Sequence, residues 1–138
     1  MIQFKNSELA PVVNFLSGIA LKGKASRGRT KLVMLLSAKH QELLDDVEQL
    51  KTEYSVGSKV SEEEQQSAKY QQQLDEYNEQ FSELASEVVS VNFEEYQQFV
   101  DSLITGLYDC DVAFSGQDSL IYDKVLEQLE KLLEGADE

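Results

Sequence analysis

Two long stretches of the chain carry apolar residues at alternating spacings of three and four, which is the heptad pattern of helices that pack along one seam. The first stretch predicts a helix from about Ala25 to Tyr54. The second predicts a helix that opens at Ser61, where Glu64 completes a capping box. Because only a short turn separates them, we expect an antiparallel helical hairpin with arms roughly 40 Å long. The predicted seam positions are Val33, Leu36, His40, Leu43, Val47, Leu50 and Tyr54 in the first arm, and Tyr70, Leu74, Tyr77, Phe81, Leu84 and Val88 in the second.

Two short segments outside the hairpin have the pattern of β-strands. Ile2 and Phe4 alternate with polar neighbours, which predicts a strand over residues 2–5. Residues 87–91 are rich in valine and carry no helical stripe, which predicts a second strand. Each segment is the obvious pairing partner of the other.

Three shorter helices account for the remaining periodic segments. One begins at residues 6–7 and stops near residues 21–23, another opens at Asn92, and the last runs from Ser115 to Gly135. We find no internal repeat and no long linker, so we predict one domain over residues 1–138. The expected fold class is mainly α, with a long antiparallel helical hairpin, shorter helices and a two-stranded β element that pairs residues 2–5 with 87–91.

The basic residues are concentrated toward the start of the chain, although the net charge is −14. Residues 1–41 carry seven Lys or Arg against one acid, whereas residues 42–138 carry five Lys against 25 acids. Such a separation indicates that the basic segment has an anionic partner, either within the same fold or outside it. The candidate residues for binding an anion or a partner lie between positions 22 and 31, and they are Lys22, Lys24, Arg27, Arg29 and Lys31.

Helical spacing divides this basic segment into two sets. At 100° per residue, Lys24, Arg27 and Lys31 fall within an arc of about 60°, roughly opposite the hairpin seam. Arg29 continues the seam line and is expected to reach acids elsewhere in the fold, such as Glu87. Three interpretations of the first set stay open. These cations pair with the protein's own carboxylates or stay solvated, they bind an acidic protein or a second copy of the chain, or they bind nucleic-acid phosphates. The first is the simplest, and the negative charge of the remaining chain opposes the third.

No motif in the chain predicts catalysis, a metal site or a cofactor. Residues 23–30 come within one substitution of the phosphate-binding loop G-x-x-x-x-G-K-[ST], but Arg29 stands in place of the lysine, and a helical stripe precedes the segment instead of a buried strand. The single His40 and the single Cys110 have no companion ligands, and residues 109–111 lack the glycine and the third oxygen ligand of a calcium loop. We therefore predict that the protein is not an enzyme and holds no metal or cofactor.

The chain also lacks the sequence features of an exported or membrane-bound protein. A lone cysteine is typical of a reducing compartment. No stretch approaches the ~18 uninterrupted apolar residues of a membrane span, and the first residues do not have the layout of a secretory signal. We predict a cytoplasmic protein without membrane contact.

Two segments of the chain resemble a known family. Residues 15–18 with 21–32 are similar to its N-terminal signature, and residues 114–123 are similar to its other recurring segment. The family comprises small uncharacterised proteins, a domain of unknown function, encoded by phages and prophages of low-GC Gram-positive bacteria. The resemblance implies a phage origin and transfers no catalytic residue. We therefore expect a non-enzymatic phage accessory or assembly protein that acts through protein contact in the host cytoplasm. The alternative is a nucleic-acid-binding module that uses residues 22–31.

Overall fold

The computed structural model describes residues 1–57, 61, 63, 67–110 and 113–136. Within these residues it contains five α-helices, one 3-10 segment and one small sheet. The elements are β1 (Ile2–Lys5), α1 (Asn6–Gly18), α2 (Gly23–Glu53), α3 (Ala68–Ser86), β2 (Val88–Val91), the 3-10 segment (Glu94–Phe99), α4 (Val100–Asp109) and α5 (Gln117–Ala136). The predicted fold class, mainly α with a long helical hairpin and a two-stranded β element, is confirmed.

The two strands form an antiparallel ladder in which Ile2 lies opposite Val91 and Phe4 lies opposite Val89. Ile2 and Phe4 are buried while Gln3 and Lys5 are exposed, because alternate residues of a strand face opposite sides. The start of α1 continues this connection. The Asn6 side chain donates a hydrogen bond to the Leu84 carbonyl at 2.9 Å, so the beginning of the chain is tied to the end of α3.

Helix α2 is buried only along its first half. Its buried residues are Ala25, Gly28, Leu32 and Leu36, and this half packs against α1, α4 and the 3-10 segment. The seam positions from His40 to Tyr54 are half-buried, because α3 is the main neighbour that remains there. The hairpin therefore has an inner half, up to Leu36 of α2, that is part of the core. Its outer half, from His40 of α2 onward with the facing part of α3, forms an arm rich in acidic residues.

One helix boundary differs clearly from the sequence prediction, and another falls partly outside the described residues. Helix α1 ends at Gly18, before the predicted end at residues 21–23. The expected opening of the third helix involves residues 62 and 64, which lie outside the described residues. Helix α3 as described starts after Ser67, whose side chain accepts a hydrogen bond from the Tyr70 N–H at 3.0 Å.

The predicted fourth helix is divided into the 3-10 segment and α4, with non-helical dihedral angles at Tyr96. In one continuous helix, Phe93 and Phe99 would lie about 120° apart. The break allows both rings to be buried in the core. Phe93 is the N-cap residue of the segment, and the preceding Asn92 accepts a hydrogen bond from the Glu94 N–H at its Oδ1, at 2.9 Å.

Candidate interaction surface

The segment that resembles a phosphate-binding loop is helical, in agreement with the rejection of such a loop from the sequence. Residues 23–30 form the first turns of α2, beginning at Gly23 with a φ of +57°, a conformation that glycine adopts at little cost. Gly28 is explained by packing, because a Cβ atom at this position would lie 2.9 Å from the Cβ of Phe99. Gly106 of α4 similarly faces Ala25, because a Cβ atom added at Gly106 would lie 2.7 Å from the Ala25 Cβ. These small residues let α2 approach the 3-10 segment and α4 closely.

Arg29 faces the protein interior, but its partners are not the carboxylates that the sequence suggested. Its Nη1 donates hydrogen bonds to the carbonyl oxygens of Leu16 and Ile19, and its Nη2 donates to the Ser26 Oγ at 3.2 Å. The last carbonyls of a helix lack partners within the helix and carry the negative end of its dipole. Arg29 thus caps the C-terminal end of α1 and holds it against the start of α2, and the predicted contact with Glu87 is replaced by this role.

Lys24, Arg27 and Lys31 lie over aromatic rings of the 3-10 segment. The Lys24 Nζ is 6.0 Å and the Arg27 Cζ is 5.2 Å from the centroid of the Phe99 ring. The Lys31 Nζ is 5.7 Å from the centroid of the Tyr96 ring. These distances are those of cation–π interactions, each worth about 0.5–1 kcal/mol at an exposed site. The attraction offsets the cost of placing cations at the positive end of the α2 dipole.

We call Lys24, Arg27 and Lys31 the basic face. Lys24 and Arg27 are exposed and Lys31 is half-buried. Among the described residues, no carboxylate lies within 4.0 Å of their charged nitrogens, and the same holds for Lys22. The ion pairs of the described chain lie elsewhere, and they are Lys39–Glu42, Lys51–Glu48, Lys124–Glu8 and Lys131–Glu127. The interpretation in which the basic face pairs with internal carboxylates therefore has no support in the described part of the chain.

The aromatic support of the basic face was not predicted. Phe99 and Tyr96 are far from the basic segment in sequence, and no aromatic residue lies between Leu16 and Tyr54. The available signal was Gly28 inside a helical stripe, because a helix-interior glycine often marks a close approach by another element.

The described surface also has two depressions, and neither is lined by residues of the basic face. A cleft of about 270 Å³ lies between the outer halves of α2 and α3 and is lined by four acids, Asp46, Glu53, Glu83 and Glu87, with Gln49, Leu50, Gln80 and Leu84. A groove of about 610 Å³ between α1 and the start of α5 is lined partly by Phe15, Phe114 and Ile121. The cleft lies between the acidic outer halves of α2 and α3, and the groove has both polar and apolar lining residues.

The remaining candidates for chemistry stay isolated from one another. His40 is half-buried in the hairpin, and its Nδ1 is buried without a hydrogen-bond partner. Cys110 is a free, half-buried thiol. Within the described ranges, no group of three or more His, Cys, Asp or Glu side chains is placed to hold a metal ion. In the same part of the chain, no helix has the length and apolar character needed to cross a membrane.

The prediction that the chain belongs to a domain family of unknown function is confirmed by comparison with known proteins. The family described as protein of unknown function (DUF1617) matches residues 1–136, and the chain belongs to it. No curated protein and no solved structure matches the chain.

Proposed function

We propose that this member of the DUF1617 family is a non-enzymatic, phage-encoded accessory or assembly protein that acts by protein–protein contact in the host cytoplasm. The observation that carries the proposal is the basic face. Three cations are held on one side of α2 by aromatic rings, and no carboxylate of the described chain neutralises them.

The geometry suits recognition of an acidic protein surface. A long side chain that is fixed before binding loses less conformational entropy in the complex. The Phe99 ring contacts the charged groups of Lys24 and Arg27 on the side that faces the protein. Their N–H groups therefore remain available on the side that faces solvent. Arg27 can form a two-point hydrogen bond with a carboxylate, a geometry that lysine does not provide. The partner is therefore expected to present Asp or Glu side chains along an exposed helix or edge.

The alternative function is nucleic-acid binding through phosphate contacts from Lys22, Lys24, Arg27 and Lys31. The uncompensated charge of these residues favours it. Two features oppose it. Phe99 is only 3% exposed and is not available to stack on a base, and residues 42–138 carry a large excess of acids. Arg29 is not a candidate for either function, because its guanidinium is hydrogen-bonded to Leu16, Ile19 and Ser26 within the fold.

The proposal is tested by capturing partners from a lysate of phage-infected host cells with immobilised protein. The informative variant is Arg27→Glu with Lys31→Glu. The matched control is Lys69→Glu with Lys131→Glu, which changes the net charge equally at exposed positions of α3 and α5. We expect a defined acidic protein, identified by mass spectrometry, to be retained by the wild type and the control and lost from the basic-face variant. Equal retention by all three proteins would reduce the basic face to a solvated surface.

The alternative is tested separately by titrating salt into mixtures with single-stranded DNA, double-stranded DNA and RNA. Phosphate contacts make the logarithm of the affinity fall linearly with the logarithm of the salt concentration. Binding at low salt that the Arg27→Glu and Lys31→Glu variant loses would support the nucleic-acid function. Absence of binding at low salt removes it.

A further inference from the structure

One exposed face of α2 carries positive charges at one end and negative charges at the other, and we call it the stripe. Its positions alternate at spacings of three and four, so they form one continuous line along a slightly supercoiled helix. From the start of the helix onward, they are Lys24, Arg27, Lys31, Met34, Ala38, Gln41, Asp45 and Glu48, and all except Lys31 are exposed. The stripe is therefore cationic at its N-terminal end, uncharged in the middle and anionic at its C-terminal end.

The stripe lies on the side of α2 that faces away from the core. Ala25, Gly28, Leu32 and Leu36 mark the buried direction, and at 100° per residue the stripe positions fall about 85–175° away from it. Met34, the large apolar side chain near the centre of the stripe, is 60% exposed. The 3-10 segment lies beside the basic end of the stripe, where Phe99 and Tyr96 contact the three cations. The outer sides of Lys24 and Arg27 and the positions from Met34 onward are exposed, so the stripe is accessible to another helix.

We propose that this stripe binds the same stripe of a second copy of the chain, with the two α2 helices antiparallel about a two-fold axis. A sequence that is positive at one end and negative at the other is complementary to itself when it is reversed. A parallel arrangement would instead place Lys24 against Lys24 and Glu48 against Glu48. The antiparallel arrangement also opposes the two helix dipoles, which is favourable.

Charge matching selects one register of this pair. The two-fold axis then crosses the stripe midway between Met34 and Ala38, at the level of residue 36 along the helix. In this register, Lys24 meets Glu48 of the second copy, Arg27 meets Asp45, Lys31 meets Gln41 and Met34 meets Ala38. Each side of the axis then has two pairs of opposite charge. Sliding one helix by a heptad in either direction loses this match, because Arg27 then faces Thr52 or Ala38 in place of Asp45.

The existing contacts of the acidic residues do not prevent the pairing. Asp45 accepts a hydrogen bond from Gln41 at 3.1 Å, and Glu48 lies 3.5 Å from Lys51. Both contacts are exposed pairs within one helix, which contribute little to stability and exchange readily. At the basic end, Phe99 holds Arg27 in place from below while its outer side meets the carboxylate.

This inference rests on the proposed function, because both use Lys24, Arg27 and Lys31, but it names the partner and adds Asp45 and Glu48. It is tested by sedimentation of wild type and two reversed variants at about 0.15 M salt, where charges beyond about 8 Å are largely screened. One variant is Lys24→Glu with Arg27→Glu, the other is Asp45→Lys with Glu48→Lys, and Lys69→Glu with Lys131→Glu is the control. Circular dichroism verifies that each variant is folded.

We expect the wild type and the control to form dimers and each reversed variant to lose about tenfold or more in dimer affinity. Mixing the two reversed variants should restore association as a heterodimer, because one stripe is then entirely negative and the other entirely positive at its ends. A wild type that stays monomeric up to about 1 mM, or reversed variants that dimerise as well as the control, would overturn the proposal.

The register is tested by disulfide crosslinking in a Cys110→Ser background. Lys31→Cys and Gln41→Cys in one chain lie about 15 Å apart along α2, so they are too distant to bond within the chain. We expect covalent dimers on oxidation, whereas Lys31→Cys with Glu48→Cys should give none. The opposite pattern contradicts the register.

The two proposals fail independently. The Asp45→Lys and Glu48→Lys variant leaves the basic face intact, so it should still capture an external acidic partner when self-association is lost. Capture without self-association refutes only the two-fold pairing, and self-association without capture refutes only the external partner.

Discussion

The inner and outer halves of the helical hairpin share one heptad pattern but differ in burial and charge. Leu36 of the inner half is fully buried, whereas Leu43 and Leu50 at equivalent seam positions are half-buried. The inner half is surrounded by α1, α4 and the 3-10 segment, while the outer half has α3 as its main neighbour. A seam pattern thus identifies which side of a helix is covered, whereas the number of neighbouring elements decides how deeply it is covered.

Of the described ion pairs, one joins two elements and the others lie within single helices, including Lys131–Glu127 within α5. In the body, Lys124 of α5 contacts Glu8 of α1 at 3.0 Å, so the pair joins two elements distant in sequence. On α2, the pairs Lys39–Glu42 and Lys51–Glu48 lie within a single helix. Local pairs support a helix without fixing its position, so the outer arm depends on the half-buried seam for its orientation.

The largest expected effect comes from truncating the seam at its two ends. Leu36→Ala removes a fully buried side chain and should lower the free energy of unfolding by about 2–5 kcal/mol. Leu50→Ala removes the same atoms from a half-buried site and should cost about half as much or less. Urea denaturation measures both values. Equal losses would show that the outer arm is as well packed as the body.

A smaller effect is expected where α2 and α4 approach most closely. Gly106→Ala places a Cβ 2.7 Å from the Cβ of Ala25, and neither atom can rotate away. Overpacking should outweigh the gain in helix propensity and leave a net loss of about 1–2 kcal/mol. Thermal unfolding provides the measurement, and adding Ala25→Gly should recover part of the loss. Gly18→Ala is the control, because no atom lies within 4 Å of its added Cβ.

Two arginines near the start of α2 sharpen the distinction between structural and surface positions. Arg29→Met removes the cap on the α1 carbonyls and should cost about 1–3 kcal/mol, since partly buried acceptors lose charged donors. Arg27→Met removes one cation–π contact and should cost about 0.5 kcal/mol. Chemical denaturation of both variants against wild type gives the comparison. A larger loss of unfolding free energy for Arg27→Met than for Arg29→Met would mean that Arg27 mainly stabilises the fold, which would contradict its place in the proposed interaction surface.

The smallest effect concerns the pH dependence of the body. Partial burial raises the pKa of Glu8, but the Lys5 N–H and the Lys124 ammonium lower it more, so the pKa lies below its usual value. A lowered pKa in the folded state stabilises the fold above the unfolded pKa and loses this contribution as the pH falls through the folded pKa. Glu8→Gln should therefore flatten the decline of stability below about pH 4.5.

Melting temperatures between pH 6 and pH 3 measure this decline. Glu42→Gln, which alters a pair within α2, should leave the wild-type slope unchanged. If the melting temperature declined less steeply with falling pH in both variants, the Lys124–Glu8 pair would not be a specific source of the pH dependence.

The sequence predicted the elements whose signals are local and periodic. Ile2 and Phe4 indicated β1 through simple alternation, and the heptads indicated the hairpin. The support of Lys24 and Arg27 by Phe99 escaped prediction, because it depends on a tertiary contact between segments far apart in the chain. Arg29 was placed on the correct side of its helix, yet its partners are backbone carbonyls, which have no sequence signature. The break at Tyr96 was missed because the helical stripe continues through it.

The ladder between β1 and β2 has a consequence for the order in which the chain folds. Its strands lie at opposite ends of the hairpin segment, and closing so long a loop in a flexible chain is slow. The hairpin itself needs mostly contacts between neighbouring segments. Once α2 and α3 lie side by side, they bring the end of α3 back toward α1, where Asn6 binds the Leu84 carbonyl. We therefore expect the ladder to form after the hairpin, so that substitutions in β1 accelerate unfolding more than they slow folding.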